Sequence, residues 1–257
     1  MRVSRIVTLL TDFGTADSYV GEVKGVILSA APDVQLVDLT HDIAPGDVAA
    51  GSFVLGRAWR RFPSETVHLA VVDPGVGTPR RALAAEVAGH RFVAPDNGVL
   101  SDVFAAAHAD VVSLPVPADA SRTFHGRDVF APAAARLATG AALGALGPAV
   151  GDLVHLAPRR VRTEGADVIG QVVHVDRFGT LVTNLPDDAV AAGAVVQVGA
   201  AGTRHAIPVA ETFADVPPGS LVAFIGSGGT VEIAVRDGRA DAVLGLARGA
   251  EVRARPG

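Results

Sequence analysis

Short apolar runs alternate with helix-like segments over the first 150 residues. Residues 6–10, 35–39 and 67–72 have the length and apolar content of strands buried in a parallel sheet. Between them, two segments carry apolar residues at helical spacing; the first begins near Asp17 and the second has Asp47 as its N-cap. This alternation predicts a sheet with helices on its faces.

The pattern changes twice further along the chain. Residues 82–87 and 91–94 predict a hairpin, and residues 129–138 predict a helix. Residues 140–165 are rich in Gly, Pro and Arg and have no periodicity, as is typical of a connector. After it come short β-branched runs separated by turn residues, which predict a small all-β barrel or sandwich. These runs are residues 168–176, 181–185, 195–198, 221–225 and 231–235. We therefore expect two domains, residues 1–155 and 166–257.

Composition narrows the class of protein. The chain has 257 residues, of which 49% are hydrophobic, and its mean hydropathy is +0.37, so it has enough apolar surface for a packed core. A net charge of -5 without a basic cluster argues against nucleic acid as a partner. The chain has no Cys, which excludes disulfides, a thiolate nucleophile and Cys metal ligands. No apolar stretch approaches the ~20 residues of a membrane span, so we expect a cytoplasmic protein without a membrane partner.

Candidate chemistry begins where the third predicted strand ends. The run Val71-Val72-Asp73-Pro74-Gly75-Val76-Gly77-Thr78-Pro79-Arg80 places Asp73 at a strand carboxyl end, where open α/β sheets bind ligands. Arg80 follows seven residues later and can fold back over the Gly-rich turn to keep this carboxylate ionised. The second run, Thr123-Phe124-His125-Gly126-Arg127-Asp128, supplies the other titratable candidate. Taken singly, Asp-Pro-Gly is also an ordinary turn, and His125 has no neighbour at the spacing of a metal site.

Several further runs occur in a characteristic order with these two. They are Thr11-Asp12-Phe13-Gly14, Leu39-Thr40-His41-Asp42-Ile43, Ala94-Pro95-Asp96-Asn97-Gly98-Val99-Leu100, Asp176-Arg177-Phe178-Gly179 with Thr183-Asn184, and Gly226-Ser227 with Glu232-Ile233-Ala234. Along nearly its whole length the chain thus resembles the SAM hydroxide adenosyltransferases, or S-adenosyl-L-methionine (SAM) hydrolases (adenosine-forming), which are related to the fluorinase and the chlorinase. The resemblance implies an α/β fold: an amino-terminal α/β sandwich domain with a mostly parallel sheet and a smaller carboxyl-terminal all-β barrel. It also implies a homotrimer with active sites between the amino domain of one subunit and the carboxyl domain of the next.

The implied reaction is displacement of L-methionine from C5′ of SAM by water, giving adenosine, with no cofactor and no metal. The resemblance assigns the water to Asp73, Arg80 and His125. A sulfonium sulfur leaves as a neutral thioether and needs no general acid, whereas the water has to be positioned in line and to lose a proton. Arg80 stays protonated, so its role is electrostatic. His125, slightly favoured by its ordinary pKa of roughly 6.5, and Asp73 both remain candidates for the base.

The resemblance also carries substrate contacts over to this chain. It assigns the ribose hydroxyls to Asp12, the methionine ammonium to Asp17 and Asp176, and the carboxylate to Ser227. Phe124, Phe178 and Phe213 would form apolar walls around ribose and adenine, with ordinary core packing as the alternative for each. Thr123, Asn184 and Glu232 are included as substrate-binding residues without individual roles.

Departures from the halogenases favour hydrolysis. Halogenases resemble this chain in Thr-Phe but continue with Tyr and Ser or Gly where it has His125-Gly126, and they have Tyr in place of Asp73. A halide pocket excludes negative charge, because a nearby carboxylate repels the anion. Two further departures are Thr180, where the family often has Asn, and Gly228, where the fluorinase has a carboxylate-binding Arg. They leave adenine hydrogen bonding and affinity at the methionine end open.

The sequence leaves two alternative functions open. One is a chloride-using SAM halogenase, and the other is a non-catalytic SAM or adenosine-binding protein. Loss of turnover with retained adenosine binding in His125→Ala and Asp73→Ala would distinguish an enzyme from a binding protein.

Overall fold

The structure, a computed structural model, describes residues 5–190, 194–198 and 205–255. The chain divides into two compact units, Met1–Leu156 and Ala157–Gly257. Within the described ranges, no helix combines the length and the apolarity that crossing a bilayer requires.

The amino-terminal unit is a six-stranded sheet with helices on both faces. Its elements in chain order are β1 (Ile6–Thr11), α1 (Tyr19–Ala30), β2 (Gln35–Thr40), α2 (Val48–Ala58), β3 (Val67–Val71), β4 (Ala82–Val87), β5 (His90–Pro95), α3 (Ser101–Phe104), β6 (Ala109–Leu114) and α4 (Ala131–Ala138). The strand order is β2-β1-β3-β5-β4-β6. Strands β2, β1, β3 and β5 are mutually parallel, and β4 runs antiparallel to β5 and β6. The predicted mostly parallel sheet and the β4–β5 hairpin are thereby confirmed.

Alternation along the strands explains the two covered faces. Val7 and Leu9 of β1 pack with α1 and α4 in one core cluster, whereas Leu10 points to the other face and packs with α2 residues. Helix α1 buries Val20, Val23 and Ile27, as its sequence spacing predicts. The Asp47 carboxylate accepts a hydrogen bond from the Ala50 amide at 3.0 Å and caps α2.

The helix predicted at residues 129–138 begins differently. Gly126–Phe130 forms a wider turn of π-helical hydrogen bonding, and the regular helix α4 starts only at Ala131. Pro132 lies at the start of α4 and has no N–H to donate to the preceding turn. The wider turn carries the segment directly after His125, so it belongs to the candidate site.

The carboxyl-terminal unit is an antiparallel, nearly closed barrel, which confirms the predicted all-β domain. Its elements are β7 (Arg162–Glu164), β8 (Asp167–Val175), β9 (Leu181–Pro186), β10 (Val195–Val198), β11 (His205–Pro208), β12 (Leu221–Ile225), β13 (Thr230–Val235), α5 (Ala240–Leu244) and β14 (Glu251–Arg255). The strand order is β11-β10-β14-β8-β9-β13-β12, with β7 on β8. A bridge between Val209 and Ala223 links the two ends of this order.

Candidate active site

The loop after β3 forms a compact turn that returns Arg80 to Asp73. Within it, the Thr78 amide donates to the Gly75 carbonyl at 3.1 Å, and the Thr78 hydroxyl donates to the same oxygen at 2.7 Å. Gly77 has φ +78°, and a Cβ at this position would lie 2.5 Å from the Arg122 carbonyl oxygen. Only glycine therefore fits where this loop passes the segment that leads to His125.

Asp73, Arg80 and His125 form one hydrogen-bonded group, with Arg80 in the middle. Arg80 Nε donates to Asp73 Oδ1 at 2.8 Å, and Arg80 Nη2 donates to Asp73 Oδ2 and, at 3.0 Å, to His125 Nδ1. The group is nearly closed to solvent: side-chain exposure is 6% for Asp73 and 9% for Arg80, and His125 is 5% exposed. The Arg80 guanidinium also lies over the Phe130 ring, 5.3 Å from its centroid.

The contact between Arg80 and His125 fixes the tautomer of the imidazole. A guanidinium can only donate hydrogen bonds, so His125 Nδ1 accepts, and the proton of the neutral ring lies on Nε2. Burial lowers the pKa of His125, and the Arg80 charge lowers it further against the opposing effects of Asp73 and Asp128. His125 is therefore neutral near pH 7 and presents Nε2–H as a donor.

An open groove of about 360 Å³ lies in the amino-terminal unit. Its lining residues are Phe13, Tyr19, Ser121, Thr123, Phe124 and Arg127. The Phe124 ring meets Phe13 and Tyr19 edge to face, with centroid distances of 5.9 Å and 5.4 Å. Since Phe124 directly precedes His125, the aromatic wall and the hydrogen-bonded group are adjacent along the chain. Thr123 and Phe124 were predicted here; Phe13, Tyr19, Ser121 and Arg127 were not.

Ion pairs hold the two segments that line the groove. Arg127 donates to Glu22 Oε2 at 2.9 Å and to Asp128 Oδ1 at 2.7 Å, and its guanidinium lies 4.9 Å from the Phe124 centroid. Asp128 also accepts from the Ser121 amide at 2.8 Å. These contacts connect helix α1 to the Thr123–Asp128 run. The Arg127 charge at the groove is thus balanced by two carboxylates.

Asp12 and Asp17 lie on the loop between β1 and α1. Asp12 is half-buried, and its Oδ2 accepts from the Gly46 amide at 2.8 Å. Asp17 is exposed, two residues before α1. The same loop contributes Phe13 to the groove, so both predicted carboxylates belong to a segment that borders it.

Asp176 and Phe178 share the turn between β8 and β9 in the carboxyl-terminal unit. Asp176 Oδ1 accepts from the Phe178 and Thr180 amides at 2.9 and 2.8 Å, which gives this carboxylate a turn-stabilising role. Phe178 is 75% exposed, so the core-packing alternative does not describe it. Substrate contact by Asp176 and Phe178 stays a prediction.

The remaining predicted residues of this unit have mainly structural surroundings. The Asn184 amide accepts from the Gln171 amide at 2.7 Å and donates to the Arg159 carbonyl at 2.9 Å, and both bonds hold the barrel together. Phe213 packs on Phe224 with a centroid distance of 4.5 Å and stays half-exposed. Ser227 is exposed between β12 and β13, and Glu232 on β13 occupies the space where a Cβ at position 226 would lie. Substrate contact by these four residues stays a prediction.

Comparison with known proteins matches both units. The sequence model of the SAM hydroxide adenosyltransferase N-terminal domain matches residues 7–147, and that of the C-terminal domain matches residues 170–253. This chain belongs to the SAM hydroxide adenosyltransferase family. The unmatched residues 148–169 contain much of the predicted connector, so the family match follows the two-unit organisation of the fold.

Individual family relatives cover almost the whole chain. An (R)-S-adenosyl-L-methionine hydrolase from Salinispora tropica is 40% identical over 263 residues, covering 98% of each chain. A crystal structure of an uncharacterized conserved protein from Thermotoga maritima superposes with a TM-score of 0.91 at 38% identity, covering 97% of this chain and 99% of that one. A fluorinase from Nocardia brasiliensis is more distant, with 29% identity over 268 residues and 89% of each chain covered. The chain is therefore an enzyme of this family, more similar to the hydrolase than to the fluorinase.

The described residues of this family member contain no group of three or more His, Asp and Glu side chains arranged to hold a metal ion.

Proposed function

We propose that the protein hydrolyses SAM to adenosine and L-methionine by in-line attack of water on C5′. The observation that carries the proposal is the closed Asp73–Arg80–His125 group, which follows directly on Phe124 of the aromatic groove. The chain's similar relatives are named as hydrolases of this sulfonium compound. In that name, L fixes the α-carbon, so (R) designates the sulfonium sulfur. We propose the (R) epimer at sulfur as the preferred substrate.

We propose a separate role for each of the three side chains. His125 Nδ1 is occupied by Arg80, so Nε2–H donates to the oxygen of the attacking water and orients it. Arg80 holds both Asp73 oxygens, and each keeps a second lone pair. Asp73 is then the group that takes the proton from water. This assignment replaces the slight preference for His125 that rests on the ordinary pKa of histidine alone.

The reaction balances without any other reactant. The water oxygen forms a bond to C5′ while the C5′–S bond breaks, and the bonding electron pair returns to sulfur, which leaves as the neutral thioether of methionine. The proton passes from the water to Asp73 and then to solvent. Positioning and proton removal at a closed site supply the rate enhancement.

A buried carboxylate also supports water over halide as the nucleophile. An anion about 4 Å from the Asp73 carboxylate would experience repulsion of about 4 kcal/mol from this charge at an effective dielectric constant near 20, before the opposite charge of Arg80 is counted. A neutral water molecule does not meet this barrier.

Substrate contacts and assembly follow the family resemblance. Asp12 would hold the ribose hydroxyls, Asp17 and Asp176 the methionine ammonium, and Ser227 its carboxylate, with Phe124 as an apolar wall. We propose a cytoplasmic homotrimer in which the carboxyl-terminal unit of a neighbouring subunit completes each site. The enzyme would bind both products, use no cofactor and have no nucleic-acid partner.

Product analysis tests this proposal. The purified protein is incubated with each sulfonium epimer of SAM, with and without chloride or fluoride, and the products are separated by liquid chromatography and weighed by mass spectrometry. We expect equimolar adenosine and L-methionine, faster from the (R) epimer, and no halogenated nucleoside. Formation of 5′-chloro- or 5′-fluoro-5′-deoxyadenosine, or adenosine binding without turnover, would overturn it.

A further inference from the structure

We propose that Asp96 and Asn97, at the end of β5, are positioning residues that hold the Asp73–Arg80 pair from both ends of its loop. The inference rests on the proposed function, because it assigns further residues to the same reaction. The Pro95-Asp96-Asn97-Gly98 run stands out in the sequence, yet none of its side chains reaches the candidate groove or the hydrogen-bonded group directly.

Asn97 holds the chain immediately before Asp73. Its Nδ2 donates to the carbonyl oxygen of Val72 at 2.8 Å, and its Oδ1 accepts from the Val99 amide at 3.2 Å. Val72 is fully buried and lies just beyond the end of β3. The amide side chain thus fixes the strand end from which the Asp73 carboxylate projects.

Asp96 holds the chain immediately after Arg80. Its Oδ2 accepts from Arg81 Nε at 2.8 Å and from Arg81 Nη2 at 2.6 Å. Its Oδ1 accepts from the Val154 amide at 2.9 Å. Only 4% of the Asp96 side chain is exposed, so this is a buried, fully engaged carboxylate. Such pairs are costly to disrupt by removing one partner.

The Arg81 carbonyl connects Asp96 to the guanidinium of Arg80 itself. This oxygen accepts from the Asp96 amide at 3.0 Å and from Arg80 Nη1 at 3.4 Å. One short run therefore fixes the backbone on the amino side of Asp73, the backbone on the carboxyl side of Arg80, and the edge of the guanidinium. A displacement of about 1 Å at a catalytic group can cost about 100-fold in rate.

The main variant is Asn97→Ala, with Ser101→Ala as its matched control. Ser101 is also half-buried, and its Oγ accepts a hydrogen bond from the Leu156 amide at 2.9 Å. Both variants lose hydrogen bonds of a polar side chain in the same stretch of chain, but only Asn97 contacts the residue before Asp73. A second pair, Asp96→Asn and Asp152→Ala, compares the buried partner of Arg81 with its exposed one, whose Oδ1 lies 2.5 Å from Arg81 Nη1.

The readouts are kcat and KM for SAM, the urea midpoint, and the pKa of His125 followed by NMR. We expect Asn97→Ala and Asp96→Asn to lower kcat at least about tenfold and to change KM less than about threefold. A tenfold loss in kcat corresponds to about 1.4 kcal/mol at the transition state. The pKa of His125 should rise in both as Arg80 moves away from Nδ1. Ser101→Ala and Asp152→Ala should keep wild-type kcat and the wild-type pKa of His125.

Equal kcat values for Asn97→Ala and Ser101→Ala, with an unchanged pKa of His125, would overturn the proposal. If Asp96→Asn does not fold, Asn97→Ala alone decides. If the wild-type protein does not form adenosine, the proposed function fails, and the NMR titration of His125 in the same variants still decides whether Asp96 and Asn97 position Arg80.

Discussion

Replacing Arg80 by Lys should separate the geometry of the guanidinium from its charge. In the structure, Arg80 donates two hydrogen bonds to Asp73 and one to His125. A lysine ammonium keeps the positive charge, but a single nitrogen does not reproduce the planar fork that contacts both partners. The variant should retain one bond to Asp73 and lose the bond that fixes the tautomer of His125.

The expected size follows from the bonds lost. A hydrogen bond to a charged group contributes about 1.5–3 kcal/mol, and loss of one such interaction at the transition state lowers kcat about 10- to 100-fold. KM should change less than about threefold, because Arg80 does not line the groove. The unfolding free energy should fall by only about 1 kcal/mol, because the buried carboxylate keeps a cation beside it.

Initial rates of adenosine formation over a range of SAM concentrations measure both constants. Arg91→Lys is the matched control: Arg91 is a largely buried arginine of the same unit that pairs with Glu65 at 2.8 Å and donates to the Leu137 carbonyl at 2.9 Å, outside the candidate site. Arg91→Lys should keep wild-type kcat. A wild-type kcat for Arg80→Lys, or a loss confined to KM, would refute the reasoning.

Three further predictions follow from the same geometry. Burial lowers the pKa of His125, so the neutral imidazole persists to lower pH than in an ordinary histidine. The value of kcat should be flat from about pH 8 to about pH 6.5 and fall only at lower pH. A fall in kcat that begins above pH 7 on acidification would contradict this. Burial, with a smaller effect of His90, lowers the pKa of His68 to about 3, so on acidification His68 is protonated in the unfolded state before it is protonated in the folded state. The unfolding free energy should therefore drop by about 1.4 kcal/mol per pH unit from about pH 6.5 towards pH 3. Urea titrations should find a smaller slope in His68→Gln, and an unchanged slope would contradict the reasoning. Asp73→Asn and Asp176→Asn subunits should each be inactive alone. If each site combines two subunits, an equal mixture of the two variants, refolded together, should recover about one quarter of wild-type activity. No recovery would place each site within one subunit.

Local patterns predict much of the fold and one ion pair. Strand β3 is buried at every position, and its apolar run is legible in the sequence. Asp73 and Arg80 lie seven residues apart around a glycine turn, so their contact follows from local geometry. Strand β14 was not predicted. Its outward residues Arg253 and Arg255 are charged and pair with Asp167, so the alternation with buried Val252 and Ala254 is hard to recognise in the sequence.

Long-range contacts explain what the sequence does not predict. His125 is 45 residues from Arg80, and without the family resemblance nothing in the pattern brings them together. Tyr19 and Arg127 line the groove only because α1 packs beside the wide turn after His125. The tautomer of His125 depends on which imidazole nitrogen meets the Arg80 guanidinium, and this is a property of the folded chain alone.

Hydrolysis in H₂¹⁸O tests the central claim most directly. The purified protein is incubated with SAM in labelled water, and the position of the label is read from the fragment masses of the products. Direct attack at C5′ predicts adenosine that carries ¹⁸O at its 5′ oxygen, together with equimolar unlabelled L-methionine, and loss of this product in Asp73→Asn. Unlabelled adenosine, or 5′-methylthioadenosine as the nucleoside product, would contradict the account.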